Sequence, residues 1–232
     1  MMVNCSIVTY KTDKKELEAI LGLLKSCEEI GEIYVIDNTD DNVGYGRGHN
    51  KAFEKTLSGN AEYHLVVNTD IKFTPDVITR LVTFMNEHKD VGQVMPRVLN
   101  NDGTDQHLAK RLPTPWDLIH RRLFGSHRCE LELPQRGFYD VKYLSGCFMF
   151  LRVEAMKRLK ELDGYLFDPR FFMYPEDIDF TRRMSQVART IYLPEVNIIH
   201  DHKRESYETL KMTRIHAWNM LKYFWKWRGN WR

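Results

Sequence analysis

No run in the 232-residue sequence approaches the roughly 20 apolar residues that cross a bilayer. The N-terminus has no basic region followed by an apolar core, so neither a spanning helix nor a secretory leader is expected. Cysteine is scarce. Cys5, Cys27, Cys129 and Cys147 show no CxxC spacing and no clustering, which speaks against a zinc site or a disulfide framework and for reduced thiols of an intracellular protein. An excess of one charge is lacking too: 34 Lys and Arg face 32 Asp and Glu, a net charge of +2, which gives no global attraction to nucleic acid. There is no internal repeat and no low-complexity linker. What remains, 43% hydrophobic and 28% charged residues, is an ordinary globular composition in a chain long enough to bury a substantial core. The expectation is a cytoplasmic protein, with contact to the inner face of the membrane left open.

The residues that are present alternate between two periods. Val3 to Tyr10 is β-branched and reads as a buried strand; Lys14 to Cys27 repeats its apolar residues at Leu17, Ile20, Leu21 and Leu24, a helical period with Asp13 as N-cap. Glu32 to Asp37 is a second strand. A glycine-rich stretch, Asn42 to Asn50, precedes a helix reaching about Leu57, and a third strand runs out at Asp70. Pro75 opens a helix over Val77 to Glu87, and Val91 to Val98 is a further strand. This rhythm predicts an α/β fold with a mostly parallel central sheet flanked by helices. From Asn100 to Arg136 the pattern degrades, with a short helix at Leu118 to Phe124. Strand character returns over Tyr139 to Leu151, a helix over Asp177 to Met184 and a strand over Thr190 to Ile199.

Several residues suggest chemistry. Asp70 ends a buried strand, where α/β proteins bind ligands, and a carboxylate there suits a hard divalent cation shared with phosphates; alone, it could equally start a turn. Gly44, Gly46 and Gly48 miss the GxGxxG spacing of a dinucleotide site and follow the second strand, yet glycine lets backbone approach a diphosphate, and Arg47 could add charge. Each could also be a tight turn into the helix. Glu176, Asp177 and Asp179 lie within four residues between aromatics, as a general base with a raised pKa would, or as acids favoured at a helix N-terminus. Gly146 allows close ligand approach or a bulge. His200 ends a strand and could contact a metal or a phosphate. Lys110, Arg111, Arg121, Arg122 and Arg128 form either a solvated face or a place for an anionic acceptor.

Taken in order, SIVTY at 6–10, VIDN at 35–38, NVGYGRGHN at 42–50, NTD at 68–70, SGCFMFLR at 145–152, FFMYPEDIDF at 171–180 and HDHKRES at 200–206 resemble the motifs of family 2 glycosyltransferases, especially the bacterial rhamnosyltransferase-like branch. The resemblance implies a GT-A fold over residues 1–206. Its nucleotide-sugar half would be 1–100 and its acceptor half 101–206, followed by a basic, aromatic helical extension at 207–232. It implies an inverting transfer from a nucleotide-diphosphate sugar, dTDP-rhamnose first and a UDP-hexose (galactose, glucose or N-acetylhexosamine) second. The acceptor would be a glycan or a polyprenyl-diphosphate-linked glycan of bacterial surface polysaccharide synthesis, such as O-antigen, capsule or cell wall. Asp177 would be the base, with Glu176 second. Mg²⁺ or Mn²⁺ would sit on Asp70, helped by His200, since Asn68 replaces the first acid of the family's DxD motif. Donor contacts would come from Thr9, Tyr10, Asp37, Asn38, Gly44, Gly46, Arg47, Asn50, Asn68, Thr69, Asp70 and Gly146.

A sugar-nucleotidyltransferase should carry a phosphate-gripping glycine loop after the first strand, and Lys11-Thr12-Asp13 is not one. A non-catalytic sugar- or nucleotide-binding domain would need neither Asp70 nor the acidic cluster. The tail from Lys211 to Arg232 has six Lys and Arg, no acids, and Trp218, Trp225, Trp227 and Trp231, without a clean aromatic stripe. It suits a membrane interface, or a helix packed on the domain or on a second subunit as in a homodimer.

Overall fold

The computed structural model describes residues 2–125, 128–201 and 210–230. An eight-stranded sheet forms the centre, in the order β2-β1-β3-β9-β5-β10-β4, with β7 also on β10. Its members are β1 (Val3–Thr9), β2 (Ile30–Asp37), β3 (Tyr63–Val67), β4 (Ile71–Lys72), β5 (Val91–Leu99), β7 (Tyr139–Asp140), β9 (Phe148–Arg152) and β10 (Arg189–His200). A small second sheet pairs β6 (Ala109–Lys110) with β8 (Tyr143–Leu144). Strands β1, β2 and β3 pair in parallel, as do β5 and β10. The stretch expected as one strand from Tyr139 to Leu151 is three pieces, and the last, β9, runs antiparallel between β3 and β5.

The strands bury both faces by simple alternation. Leu65, Val67, Phe148 and Phe150 face one core, whereas Val66, Met149 and Leu151 face the other. Helices α1 (Lys14–Lys25) and α3 (Asp76–Glu87) cover the first through Ile20, Leu24, Ile78, Leu81 and Met85. Asp13 caps α1, as its sequence position suggests, accepting from the Lys15 and Glu16 amides. Helices α2 (Tyr45–Leu57), α5 (Val153–Asp163) and α6 (Glu176–Val187) cover the second core through Phe53, Met156, Leu159, Phe180 and Met184. A third apolar cluster joins α4 (Pro115–Phe124) and α7 (Leu210–Lys226) to α6, with Met220, Tyr223 and Phe224 packed near Leu112, Phe171 and Ile178.

The glycine-rich stretch departs from its reading as a loop. Helix α2 starts at Tyr45, so Gly46, Arg47, Gly48 and Asn50 are all helical. The physical reason is close packing: a Cβ on Gly46 would lie 2.9 Å from Phe167 Cβ, and one on Gly48 would lie 2.8 Å from Val8. Gly44, with φ of +89°, turns the chain into the helix, and a Cβ there would lie 2.2 Å from the Phe172 carbonyl oxygen. That same oxygen accepts from the Tyr45 amide at 3.2 Å, tying the start of α2 to the segment before α6. Replacing Gly44 with alanine adds a left-handed conformation and a backbone clash together. The expected cost is ~1–3 kcal/mol, read as a lower denaturation midpoint with unchanged slope. An unchanged midpoint would contradict this packing.

Candidate active site

Three chain segments meet at the C-terminal edge of the parallel strands. The Asn68 amide donates to the Cys147 carbonyl at 3.0 Å, which aligns the end of β3 with the turn leading into β9. Strand β4 then pairs antiparallel with the end of β10, matching Ile71 to His200. This register brings His200 Nε2 to 3.3 Å from Asp70 Oδ2. Gln106 fixes the other side of the ring, 3.0 Å from Nδ1, while donating to the His200 carbonyl at 2.8 Å. Burial alone would lower the His200 pKa, but the Cys147 thiol group and Asp70 outweigh it and hold it up to about 10.

Asn68, Asp70, Gly146, Glu176, Asp177 and His200 line one cavity of about 1050 Å³. Asp177 stands in the first turn of α6. Its Oδ2 accepts from the Gly146 amide at 3.0 Å and its Oδ1 from the Ile178 amide at 2.8 Å. Burial pushes its pKa up to about 6, opposed by those amides and by the Lys110 ammonium. Glu176 is buried and raised well above the usual carboxylate range by desolvation and by Asp177, and its Oε2 has no hydrogen-bond partner among the described residues. The pair thus sets one carboxyl that ionises near 6 beside one whose ionisation is held well above the usual carboxylate range.

The third acid of the cluster belongs elsewhere. Asp179 is fully buried and accepts from Arg183 Nε, Lys226 Nζ and Trp227 Nε1, each at 2.8 Å. Nearby Asp168, equally enclosed, is held to about 2.5–2.8 Å by Arg170 and Lys226. These contacts anchor α6 and α7. Trp227 is therefore an inward anchor rather than one of the outward aromatics of the tail.

Other expected donor contacts fall into two groups. Thr9, Tyr10, Asp37 and Asn38 lie together at the ends of β1 and β2, where Thr9 and Asp37 are register partners and the Asn38 amide donates to Thr9 O at 2.8 Å. Asp37 is exposed and its carboxyl is held below the usual range by hydrogen bonds from Thr39. Tyr10 is half exposed, with a face available for stacking. Neither this group nor the second lines the cavity. Arg47 Nε donates to Pro169 O at 2.8 Å, and Asn50 brackets Phe167, bonding both its carbonyl and its amide. Thr69 turns toward Glu16 of α1. Gly44 and Gly46 meet protein where a Cβ would stand, so close packing accounts for both glycines.

The sequence reading passed over Tyr45. Its hydroxyl donates to Gly146 O at 2.7 Å and reaches Asn68 Oδ1 at 3.2 Å, linking two cavity segments. It sat inside a glycine run read for its backbone. Tyr174 was missed as well: its φ of +93° is unusual for a bulky side chain, and its ring meets His216 edge-on, with centroids 4.8 Å apart. Nothing in the residue order signals either. Arg121 and Arg122 side chains, His202 to Ser206 and Trp231 lie outside the described residues.

Among the described residues, no group of three or more His, Cys, Asp or Glu could hold a metal ion. The Asp70 and His200 pair fits a narrower role. A cation bound there would displace the proton that His200 shares with Asp70, and one carboxylate plus one imidazole nitrogen would leave most positions of Mg²⁺ or Mn²⁺ for phosphate oxygens and water, as such ions favour.

The description "Glycosyl transferase family 2" matches residues 13–160. Among curated proteins, the "N-acetylglucosaminyl-diphospho-decaprenol L-rhamnosyltransferase" of Mycobacterium tuberculosis is 25% identical over 194 residues, covering 72% of this chain. The chain spans only 58% of that relative's length. "Rhamnosyltransferase WbbL" of Escherichia coli strain K12 is 25% identical over 193 residues, 77% of this chain and 70% of the relative. Among solved structures, GalNAc-T7 with UDP, GalNAc and Mn²⁺ superposes with a TM-score of 0.61 at 13% identity, over 87% of this chain and 43% of that one. TarS of S. aureus does so with a TM-score of 0.57 at 18% identity, over 95% and 40%. Both likenesses concern the fold.

Asp177→Asn tests the site. Turnover is expected to fall ~10²–10⁴-fold, the usual scale for a lost general base. Because the folded Asp177 binds its proton more tightly than the unfolded chain, whose carboxyl titrates near 3.8, stability falls as pH rises from about 4 to about 6. The variant lacks this loss, so at pH 7 it should melt no lower than the parent chain. The parent's kcat/KM should rise with pH along a limb centred near 6. Unchanged turnover would remove Asp177 from the chemistry.

Proposed function

The chain belongs to glycosyltransferase family 2, and on that premise we propose that it is an inverting transferase that moves a sugar, rhamnose first, from a nucleoside diphosphate to a hydroxyl of a glycan. A polyprenyl-diphosphate-linked glycan is the acceptor we favour, on the strength of the mycobacterial relative's name. The observation that carries the reading is that one cavity holds both a near-neutral carboxylate, Asp177, and the Asp70–His200 pair. Inverting transfer needs both kinds of group: a base for the acceptor and charge compensation for the leaving diphosphate.

In the proposed reaction the acceptor oxygen attacks the anomeric carbon. Its proton passes to Asp177 Oδ as the new glycosidic bond forms and the bond to the diphosphate breaks. The Gly146 and Ile178 amides keep the Asp177 carboxylate aimed while it waits for that proton. Burial and the neighbouring Asp177 raise the Glu176 carboxyl, which disfavours a second negative charge against the acceptor. Tyr45, whose phenol is kept neutral by burial and by the surrounding acids, holds Asn68 and Gly146 in place. Thr9, Tyr10, Asp37 and Asn38 would receive the nucleoside, Tyr10 by stacking and Asp37 by accepting from the base's imide. Asp70 and His200 would hold a divalent cation, which when bound offsets the charge on the leaving diphosphate. Lys110 and Arg128, on the same cavity, suit an anionic acceptor.

A nucleoside diphosphate at about 100 times its dissociation constant adds ~2.7 kcal/mol of stability. For a chain of this length that is a melting shift of roughly 5–10 °C. The expected result is a shift with dTDP plus Mn²⁺, larger than with UDP, that is lost in Asp70→Asn and kept in Asp177→Asn. A shift independent of metal and of Asp70 would contradict the assignment; a larger shift with UDP would move the donor to a UDP-hexose.

A further inference from the structure

Helices α4 and α7 each wall the cavity on one side, through Asp117 and Leu118 of α4 and His216 and Met220 of α7. On their outer sides both are unusually apolar. Trp218, Leu221 and Trp225 follow one another at spacings of three and four residues, a single stripe along α7. They are 62%, 61% and 64% exposed. On α4, Trp116 is 70% exposed and Phe124 73%, with Ile119 between them at 45%. Six large side chains left in water on two helices that share one apolar cluster exceed the scatter of single exposed apolar residues usual on a globular surface.

The charge around the stripe identifies its partner. From Thr209 to Arg232 the sequence has no acidic residue. Lys222 Nζ lies 5.9 Å from the Trp218 ring, and the Arg228 guanidinium lies 4.8 Å from that of Trp225. Exposed Arg214 precedes the stripe by one helical turn. Tryptophan flanked by cations is the pattern that settles at lipid headgroup level, the ring at the acyl boundary and the cation on phosphate. A cofolded protein partner would not call for acid-free flanks along the whole helix. Nor is α7 a spanning segment, since no helix of the described residues is long and apolar enough to cross a membrane.

We propose that the outer faces of α4 and α7 form one docking surface for an anionic lipid bilayer, seating the molecule with the walls of its cavity at the headgroup layer. The inner faces of the same helices line the space for the acceptor, so a lipid-linked acceptor would reach the site without leaving its membrane. This purpose rests on the acceptor class proposed above, but the docking itself does not.

The test is flotation of the full chain with phosphatidylcholine vesicles, with and without phosphatidylglycerol. It is repeated for two triple variants, Trp218→Ser/Leu221→Ser/Trp225→Ser and Trp116→Ser/Ile119→Ser/Phe124→Ser. The parent should float with the anionic vesicles only, less so at high salt, and each triple variant should bind about tenfold or more weakly. Melting with dTDP or UDP and Mn²⁺, measured on the same variants, reads the donor site separately; an unchanged nucleotide shift shows that only the surface was altered. If the parent fails to float, if neither triple variant weakens binding, or if light scattering finds a dimer that the triple variants dissolve, the bilayer assignment is overturned. The last result would give the stripe to a second copy of the chain.

Discussion

The Asp179 carboxylate, sealed from water, sets the orientation on which the site depends. It has three donors, from Arg183 on its own helix and from Lys226 and Trp227 at the end of the chain. A buried carboxylate with fewer partners would be costly, so this arrangement has few alternatives. Two residues apart on an α-helix means about 200° around it. With Asp179 locked inward, Asp177 is turned to the opposite side, where the Gly146 amide meets it and the cavity begins. The C-terminal helix is therefore part of the cavity's scaffold: its inner side fixes α6, its inner residues wall the cavity, and its outer face is left apolar.

The second constraint is the antiparallel entry of β9 between β3 and β5. It carries the Ser145-Gly146-Cys147 turn to the ends of the parallel strands, so that Gly146 serves Asp177 by its amide and Tyr45 by its carbonyl. A Cβ on Gly146 would stand 3.2 Å from Asp177 Cβ, which makes this glycine a matter of closeness rather than of turn conformation. On the other side, the pairing of β4 with β10 brings together Asp70 and His200 from opposite ends of the chain. Backbone register, more than side-chain reach, assembles the cavity.

Much of this was legible in the residue order because the signals were periodic. The short apolar run of β3, the 3.6-residue repeat of α1 and the proline that opens α3 mark their elements without tertiary help. Asp70 was conspicuous at the end of a buried run, and Asp177 within a dense acidic cluster. Three kinds of feature stayed hidden. The direction of β9 depends on which strands it joins, and a short apolar run is silent on that. The glycines of 44–48 carry the same letters whether they meet a phosphate or, as here, Phe167, Val8 and the Phe172 carbonyl. And the split of Glu176, Asp177 and Asp179 into a carboxyl raised well above its usual range, one raised to about 6 and a buried anchor depends on partners as distant in sequence as Trp227. A carboxylate's role is set by its surroundings, which spacing alone does not contain.

The proposed reaction is a single displacement, with Asp177 taking the acceptor's proton while the diphosphate leaves from the opposite face. The measurement that tests it most directly is the anomeric configuration of the product, by NMR coupling constants, after incubation with dTDP-rhamnose, Mn²⁺ and a polyprenyl-diphosphate-linked N-acetylglucosamine acceptor. A single displacement gives inversion relative to the donor's anomeric centre. A product with retained configuration would require a second displacement, and the cavity built around Asp177 would then have been assigned the wrong chemistry.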